Sequence, residues 1–158
     1  MILLLDNTVL SNFALVGRSD LLRQALGTTA ATTTQAMAEF ETGVELGRVP
    51  ATNWTWLPTL TLSPAEKDLY QQLLQRLNAG EAACLAMAAH RQARVLTDDR
   101  DARALAAQMR ISVSGTVGVL IRLVKIGRLT LSEANHLLEQ MLGHGYRSPV
   151  ETLDKLLK

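Results

Sequence analysis

The chain has 158 residues, of which 47% are apolar and 20% charged, and a formal net charge of +1. That length suits one domain with a substantial core, and that balance excludes a disordered chain. A near-neutral sum also excludes a global positive field aimed at nucleic acid. The distribution says more. Eight of the sixteen Lys and Arg residues fall between Arg91 and Arg128, opposed there only by Asp98, Asp99 and Asp101. That segment either holds phosphates on one face or forms a solvated helical surface.

In chain order, residues 2–5 are a continuous apolar run ending at Asp6, as in a short strand buried on both faces. Leu10, Phe13 and Leu15 continue it as a helix. The segment carries Asp6 and no basic leader, so a signal peptide is not expected. Ser19 and Asp20 predict the cap of a second helix that stops at Gly27. Threonine-rich residues 28–34 predict a strand, and 35–46 a helix ending near Gly47. Residues 54–62, with Pro58 inside, predict an edge strand or an extended loop. Ser63, Pro64 and Glu66 form a helix start, and that helix runs to about residue 77, closed by residues 78–80.

A helix from Glu81 to about residue 92 follows, then a strand over 94–97 that leads into Asp98 and Asp99. Residues 101–109 predict a helix, 111–114 a strand and 116–126 a helix ended by Gly127. Residues 131–142 predict another helix, opened near Ser132, and 149–158 a short terminal one. Strands alternating with helices predict a single α/β domain over residues 1–158. Its parallel sheet has helices on both faces. The helices from about residue 131 onward either pack on that domain or serve as an interaction surface. No stretch reaches the roughly 20 apolar residues of a membrane span. Cys84, the single cysteine, can form no internal disulfide; it sits in AACLAMAA as a small buried hydrophobe, and a reducing cytoplasm is the expected setting.

Ligands of open parallel sheets bind beyond the carboxyl ends of the strands. Asp6, Glu39, Glu81 and the Asp98–Asp99 pair come from separate strand ends and helix starts that such a sheet can bring together. Carboxylates held close repel unless a cation or protons neutralise them, and Mg²⁺ or Mn²⁺ prefer such all-oxygen donors. Each acid also has an ordinary reading. Asp6 and Asp99 can cap the helices that follow, Glu39 can be solvated beside Glu41 and Glu45, and Glu81 suits a helix N-terminus. The sequence offers no Ser–His–Asp order, phosphate-cradling glycine loop or Cys/His cluster as an alternative. His90, His136 and His144 are scattered, and Trp54 and Trp56 either stack bases or pack beneath the edge strand.

Four segments carry a resemblance: LLLDNTVLSNF, AMAEFETG, GEAACLAMAAHRQARVLTDDRDARALA and SGTVGVLIRLVKIGRL, from Ile2 to about Leu129. Together they resemble the PIN-domain nuclease family, more narrowly a bacterial PIN-like branch related to VapC-type toxins. The resemblance implies a three-layer α/β/α fold with a central parallel sheet of four to five strands. It implies a Mg²⁺ or Mn²⁺ endoribonuclease site at Asp6, Glu39, Glu81 and Asp99, with Asp98 sharing or replacing the role of Asp99 as metal ligand. Thr8 and Asn12 resemble residues that orient the first acid, and Thr116 the Ser/Thr-like residue near the metal. The third acid is Glu81 where many relatives have Asp; the longer arm changes metal distance and not ligand type. Arg100 and Arg103 are candidates for gripping RNA, or for pairing with Asp101 or Glu81.

By the same resemblance the expected role is a toxin of a type II toxin–antitoxin pair, with RNA as substrate, a cognate antitoxin, and a homodimeric state. The competing expectation is a catalytically inactive PIN-like module that binds protein or RNA. A haloacid-dehalogenase-like phosphohydrolase would need Asp two residues after Asp6, where Thr8 stands.

Overall fold

The apolar run after Met1 becomes β1 (Ile2–Leu5), the central strand of a five-stranded, all-parallel sheet. In this computed structural model, which describes residues 1–157, β2 (Ala30–Thr33) and β4 (Ala93–Leu96) flank it. Beyond them, β3 (Thr59–Leu60) and β5 (Val113–Ser114) form the two edges. The inner strands are apolar at successive positions because both faces are covered. Side chains alternate across a strand. Thus Leu5, Ala30 and Leu96 enter one core cluster, whereas their neighbours Leu4, Ala31 and Val95 enter the other.

On the first face lie α1 (Asn7–Leu15), α2 (Asp20–Leu26), α7 (Thr116–Lys125) and α8 (Leu131–Gly143), around Phe13, Leu22, Leu120, Leu123 and Leu138. On the second lie α4 (Pro64–Leu73), α5 (Ala79–His90) and α6 (Arg100–Gln108). The sandwich is the three-layer α/β/α arrangement read from the sequence. Helix α5 is buried continuously from Gly80 to Ala88, as a helix apolar all round must be. Its alanines let α4 and α3 (Thr34–Glu45) approach closely, while Cys84 faces the sheet, its Sγ 4.0 Å from the Leu5 carbonyl, and Leu85 and Met87 are fully buried in the second core. Truncating Leu85 to Ala would cost about 2–5 kcal/mol.

Capping chemistry decides several boundaries that periodicity placed elsewhere. Asn78 does not close α4; it forms a capping box with Glu81 and starts α5 two residues earlier than the expected Glu81. Helix α4 stops at Leu73 and a turn follows. Thr130, rather than the Ser132 region, caps α8 through Glu133. Ser19 makes no capping hydrogen bond, and Asp20 instead pairs with Arg18. Most of residues 54–62 is loop, with only Thr59–Leu60 as edge strand. There Trp54 packs edge-on against Phe40 at 5.4 Å between ring centroids, so its part is packing rather than base stacking. The expected terminal helix is reduced to a single 3₁₀ turn, Asp154–Leu156. Pro149 lacks a donor and the Ser148 hydroxyl diverts the Val150 N–H into a local turn. Lys158 lies outside the described residues.

Candidate active site

Strand order creates the crevice. From β1 the chain moves outward to β2 and β3, then crosses back to β4 and β5, so β1 and β4 bound a topological switch point. Leu5 pairs with Thr32 and Leu96, and Leu96 with Ser114. The residues one step further, Asp6, Thr33, Thr97 and Gly115, therefore share one sheet edge.

Asp6 is 1% exposed and is the N-cap of α1. Its Oδ1 accepts the Asn7 N–H at 2.7 Å, and Oδ2 accepts the Thr97 hydroxyl at 2.8 Å and that of Thr8 at 3.4 Å. Burial pushes its carboxyl up to about 6 against those hydrogen bonds, and the charges of Glu39 and Asp99 add to the rise. Glu81 accepts the Asn78 side-chain N–H at 2.9 Å and the Asn78 backbone N–H at 3.4 Å. Burial, then the charges of Asp6 and Asp99, push it up to about 8, with Glu39 contributing and the Asn78 hydrogen bond opposing.

Glu39 is raised by burial, and the nearby Gly80 N–H pulls the other way. Its Oε1 is nevertheless buried with no hydrogen-bond partner. Gly80 makes that approach possible, because a Cβ there would collide with the Glu39 carboxylate and stand 3.2 Å from the Ala36 Cα. Asp99 caps α6 by accepting the Ala102 N–H at 2.8 Å, and its own N–H donates to Thr97 Oγ1 at 3.1 Å.

Asp98 is held differently. Its Oδ1 accepts the Thr116 N–H at 2.9 Å and the Tyr146 hydroxyl at 3.4 Å; its Oδ2 accepts Asn12 Nδ2 at 2.9 Å and the Thr116 hydroxyl at 2.5 Å. Asn12 thus holds Asp98, and Asp6, which it was expected to orient, is held by Thr97 instead. Thr8 serves both, donating to Asp6 and accepting the Asp98 N–H at 2.9 Å.

Of the sequence-derived candidates, Asp6 is raised by the charges of Glu39 and Asp99, and Glu81 by those of Asp6, Asp99 and Glu39, while Asp98 is committed to Thr116. Among the described residues, however, no three His, Cys, Asp or Glu side chains stand close enough to hold one metal ion. Three of the four carboxylates are instead engaged at helix N-termini, Asp6 by Asn7, Glu81 by Asn78 and Asp99 by Ala102. In kind, the donors fit a hard divalent cation: they are all carboxylate oxygens, two are raised by burial with neighbouring carboxylates adding to the rise, and Glu39 Oε1 is an orphaned buried acceptor.

Two clefts open onto this edge. The larger, about 1150 Å³, is lined by Thr8, Asn12, Asp98, Asp99, Arg100 and Arg103 among others. The smaller, about 470 Å³, is lined by Gln35, Glu39, Thr42, Arg48 and Ala79, and the two share Asn7 and Ser11. Arg103 makes neither expected ion pair; its Nη1 donates to the Thr97 carbonyl at 2.8 Å and the Ser114 carbonyl at 3.1 Å. Arg100 is exposed. His90, His136 and His144 are all exposed and none joins the acids, and Cys84 is fully buried.

Sequence reasoning gave no role to Thr97, Asn78, Gly80 or Tyr146. The first three carried signals: Thr97 precedes the double Asp, and Asn78 stands three before Glu81 with Gly80 between. Tyr146 carried none, because its reach to Asp98 depends on how the chain folds back after α8.

Among the described residues, no helix is long and apolar enough to cross a membrane. In comparisons with known proteins, no curated protein and no solved structure matches the chain. A family model described as a PIN domain does match, over residues 2–158, and so includes every acid above. With a parallel sheet whose switch point carries Asp6 and the Asp98–Asp99 pair beyond its strand ends, the chain belongs to the PIN-domain family, a nuclease-type fold.

Proposed function

We propose that the protein is a divalent-cation-dependent endoribonuclease, with Asp6, Glu39, Glu81 and Asp99 as the residues that would hold Mg²⁺ or Mn²⁺. The observation that carries this reading is that carboxylates drawn from distant parts of the chain stand near enough to act on two of their number: Glu39 and Asp99 raise Asp6, and Asp6, Asp99 and Glu39 raise Glu81. When bound, such ions activate water and stabilise the leaving oxygen of a phosphodiester. The chain's own residues do the rest. Thr97 and Thr8 fix Asp6, and Asn78 fixes Glu81. Asp98 ties β4 to α1 and α7 through Asn12 and Thr116, which makes it a pin for the neighbouring Asp99 rather than a ligand. Arg100 and Arg103 line the open cleft where a phosphate chain would lie.

The test is cleavage of single-stranded RNA by the purified protein with Mg²⁺ or Mn²⁺ and with chelator. Wild type should cleave only with metal, and Asp6→Asn and Asp99→Asn should not cleave. Equal cleavage by all three refutes the assignment.

In the cell we take the enzyme to be a cytoplasmic toxin of a type II toxin–antitoxin pair, homodimeric and blocked by its cognate antitoxin. The support is the resemblance to VapC-type toxins. Growth arrest on expression, relieved by the product of an adjacent small gene, is the expected result. A second reading, an inactive PIN-like module that binds RNA or protein, is favoured by one observation: no three acids converge as the side chains stand. Calorimetry with Mn²⁺ separates the two, since the inactive module takes up no ion and the nuclease does.

A further inference from the structure

The segment after α8 folds back over the site. Gly145 adopts φ +102°, a left-handed backbone suited to glycine, and the Tyr146 N–H returns to the Met141 carbonyl at 3.1 Å. Leu153 is fully buried in the first core, and its N–H donates to Asn135 Oδ1 at 2.8 Å. Asn135 Nδ2 donates to Asp154 at 2.8 Å, so the segment is anchored at both ends. Between these anchors, residues 144–149 form one wall of the larger cleft, and the half-buried Tyr146 reaches Asp98 through its hydroxyl.

That cleft is still about 1150 Å³ with the segment in place, so the segment lines it rather than filling it. Arg147 is exposed on this wall, and Arg100 and Arg103 come from α6. Among the described residues none of the three forms an ion pair. The only acids lining the cleft are Asp98 and Asp99, each already accepting backbone N–H groups. Guanidinium groups without a carboxylate partner around an open polar cleft suit an extended polyanion; Arg100 and Arg147 can present a planar fork to a phosphate, while Arg103, held by the Thr97 and Ser114 carbonyls, adds a fixed charge.

We propose that residues 144–149 are the second jaw of a track for single-stranded RNA. Arg147 takes the phosphate backbone together with Arg100 and Arg103, and Tyr146 is a positioning residue that sets the jaw against Asp98. The identity of the polyanion rests on the ribonuclease reading; the existence of the track does not.

The experiment measures binding of a fluorescent single-stranded oligoribonucleotide in chelator, across a salt series, alongside metal-dependent cleavage. Arg147→Ala should weaken binding several-fold and reduce the log–log salt slope by about 0.7, the loss of one phosphate contact. Arg128→Ala removes the same charge outside both clefts and should leave binding unchanged. Tyr146→Phe keeps the ring's packing but frees the jaw from Asp98, so it should weaken oligoribonucleotide binding and raise KM several-fold with little change in kcat; a filler of space alone would leave binding unmoved. Equal binding by Arg147→Ala and Arg128→Ala, or faster cleavage by Arg147→Ala, overturns the jaw. If wild type fails to cleave with either ion but the binding pattern appears, the ribonuclease reading falls and the jaw stands. If wild type cleaves while the two arginine variants bind alike, the opposite holds.

Discussion

Replacing Asp6 with Asn should make the metal-free protein more stable and the enzyme inactive. Asp6 is 1% exposed, and its carboxyl is raised from 3.8 to about 6, chiefly by burial. A folded-state value above the unfolded one means the native protein binds the proton more tightly. The associated stability is therefore present below about pH 4 and is lost as pH rises through 6. At 1.36 kcal/mol per unit, ionising Asp6 at pH 8 costs about 3 kcal/mol. Asn removes that charge yet keeps the hydrogen bonds, since its oxygen can accept the Asn7 N–H and its amide can donate to Thr97, whose hydroxyl rotates. The gain at pH 8 should approach ~3 kcal/mol, or roughly 6–12 °C in Tm for a domain of this size, and should shrink toward zero near pH 4. Thermal melts at both pH values in chelator read it directly. Added Mg²⁺ should raise the wild-type Tm and leave the variant's alone, while cleavage falls at least about 100-fold. An Asn variant no more stable than wild type at pH 8, or one whose advantage is the same at pH 4, would show that Asp6 is not a desolvated charge.

Other perturbations separate parts of the site. Gly80→Ala gains up to about 1 kcal/mol in helix propensity but forces Glu39 aside. A net loss of about 1–2 kcal/mol in urea unfolding should accompany loss of cleavage; an active, stabilised variant would refute the close approach. Asp99→Asn keeps an equivalent helix cap, so stability should hold while Mn²⁺ affinity falls at least ~10-fold by calorimetry. Asp98→Asn should do the reverse, costing about 1–3 kcal/mol in stability because its amide would face the Asn12 and Thr116 donors. Since Asp6 and Glu81 must release protons to bind a cation, apparent Mn²⁺ affinity should climb with pH and level off near 8, while the metal-free protein loses stability from about pH 4 up to the same point. Arg91→Ala strands the buried Glu66 and should cost roughly 1–3 kcal/mol without altering cleavage, which unfolding and activity assays read side by side.

The layered fold was legible because each inner strand is apolar at neighbouring positions and each is followed by a helical period; Leu4 and Leu5 alone announce two cores. The placing of Asp6 and Asp99 at one sheet edge was legible for a related reason, since parallel strands send all their carboxyl ends to one side; the expected convergence on one ion is not seen among the described residues as the side chains stand. Side-chain traffic within that edge was not legible. Whether Asn12 serves Asp6 or Asp98 depends on where α1 lies against α7, a distance no local pattern encodes. Asn78 looked like a stop because asparagine favours both helix ends, and only its reciprocal bonding with Glu81 makes it a start. Tyr146 was invisible, because it reaches Asp98 only once the chain turns back at Gly145 after α8.

The pairing of Leu5 with Leu96 implies where this chain tolerates changes in length. One residue inserted into β1 or β4 would turn Leu4, Leu5, Val95 and Leu96 inside out and carry Asp6 past Thr97, so a single added codon there should erase core and site together. The loop around Ala51 and Asn53, exposed and outside helix and strand, faces no such constraint, and natural variation in the length of this protein should accumulate there.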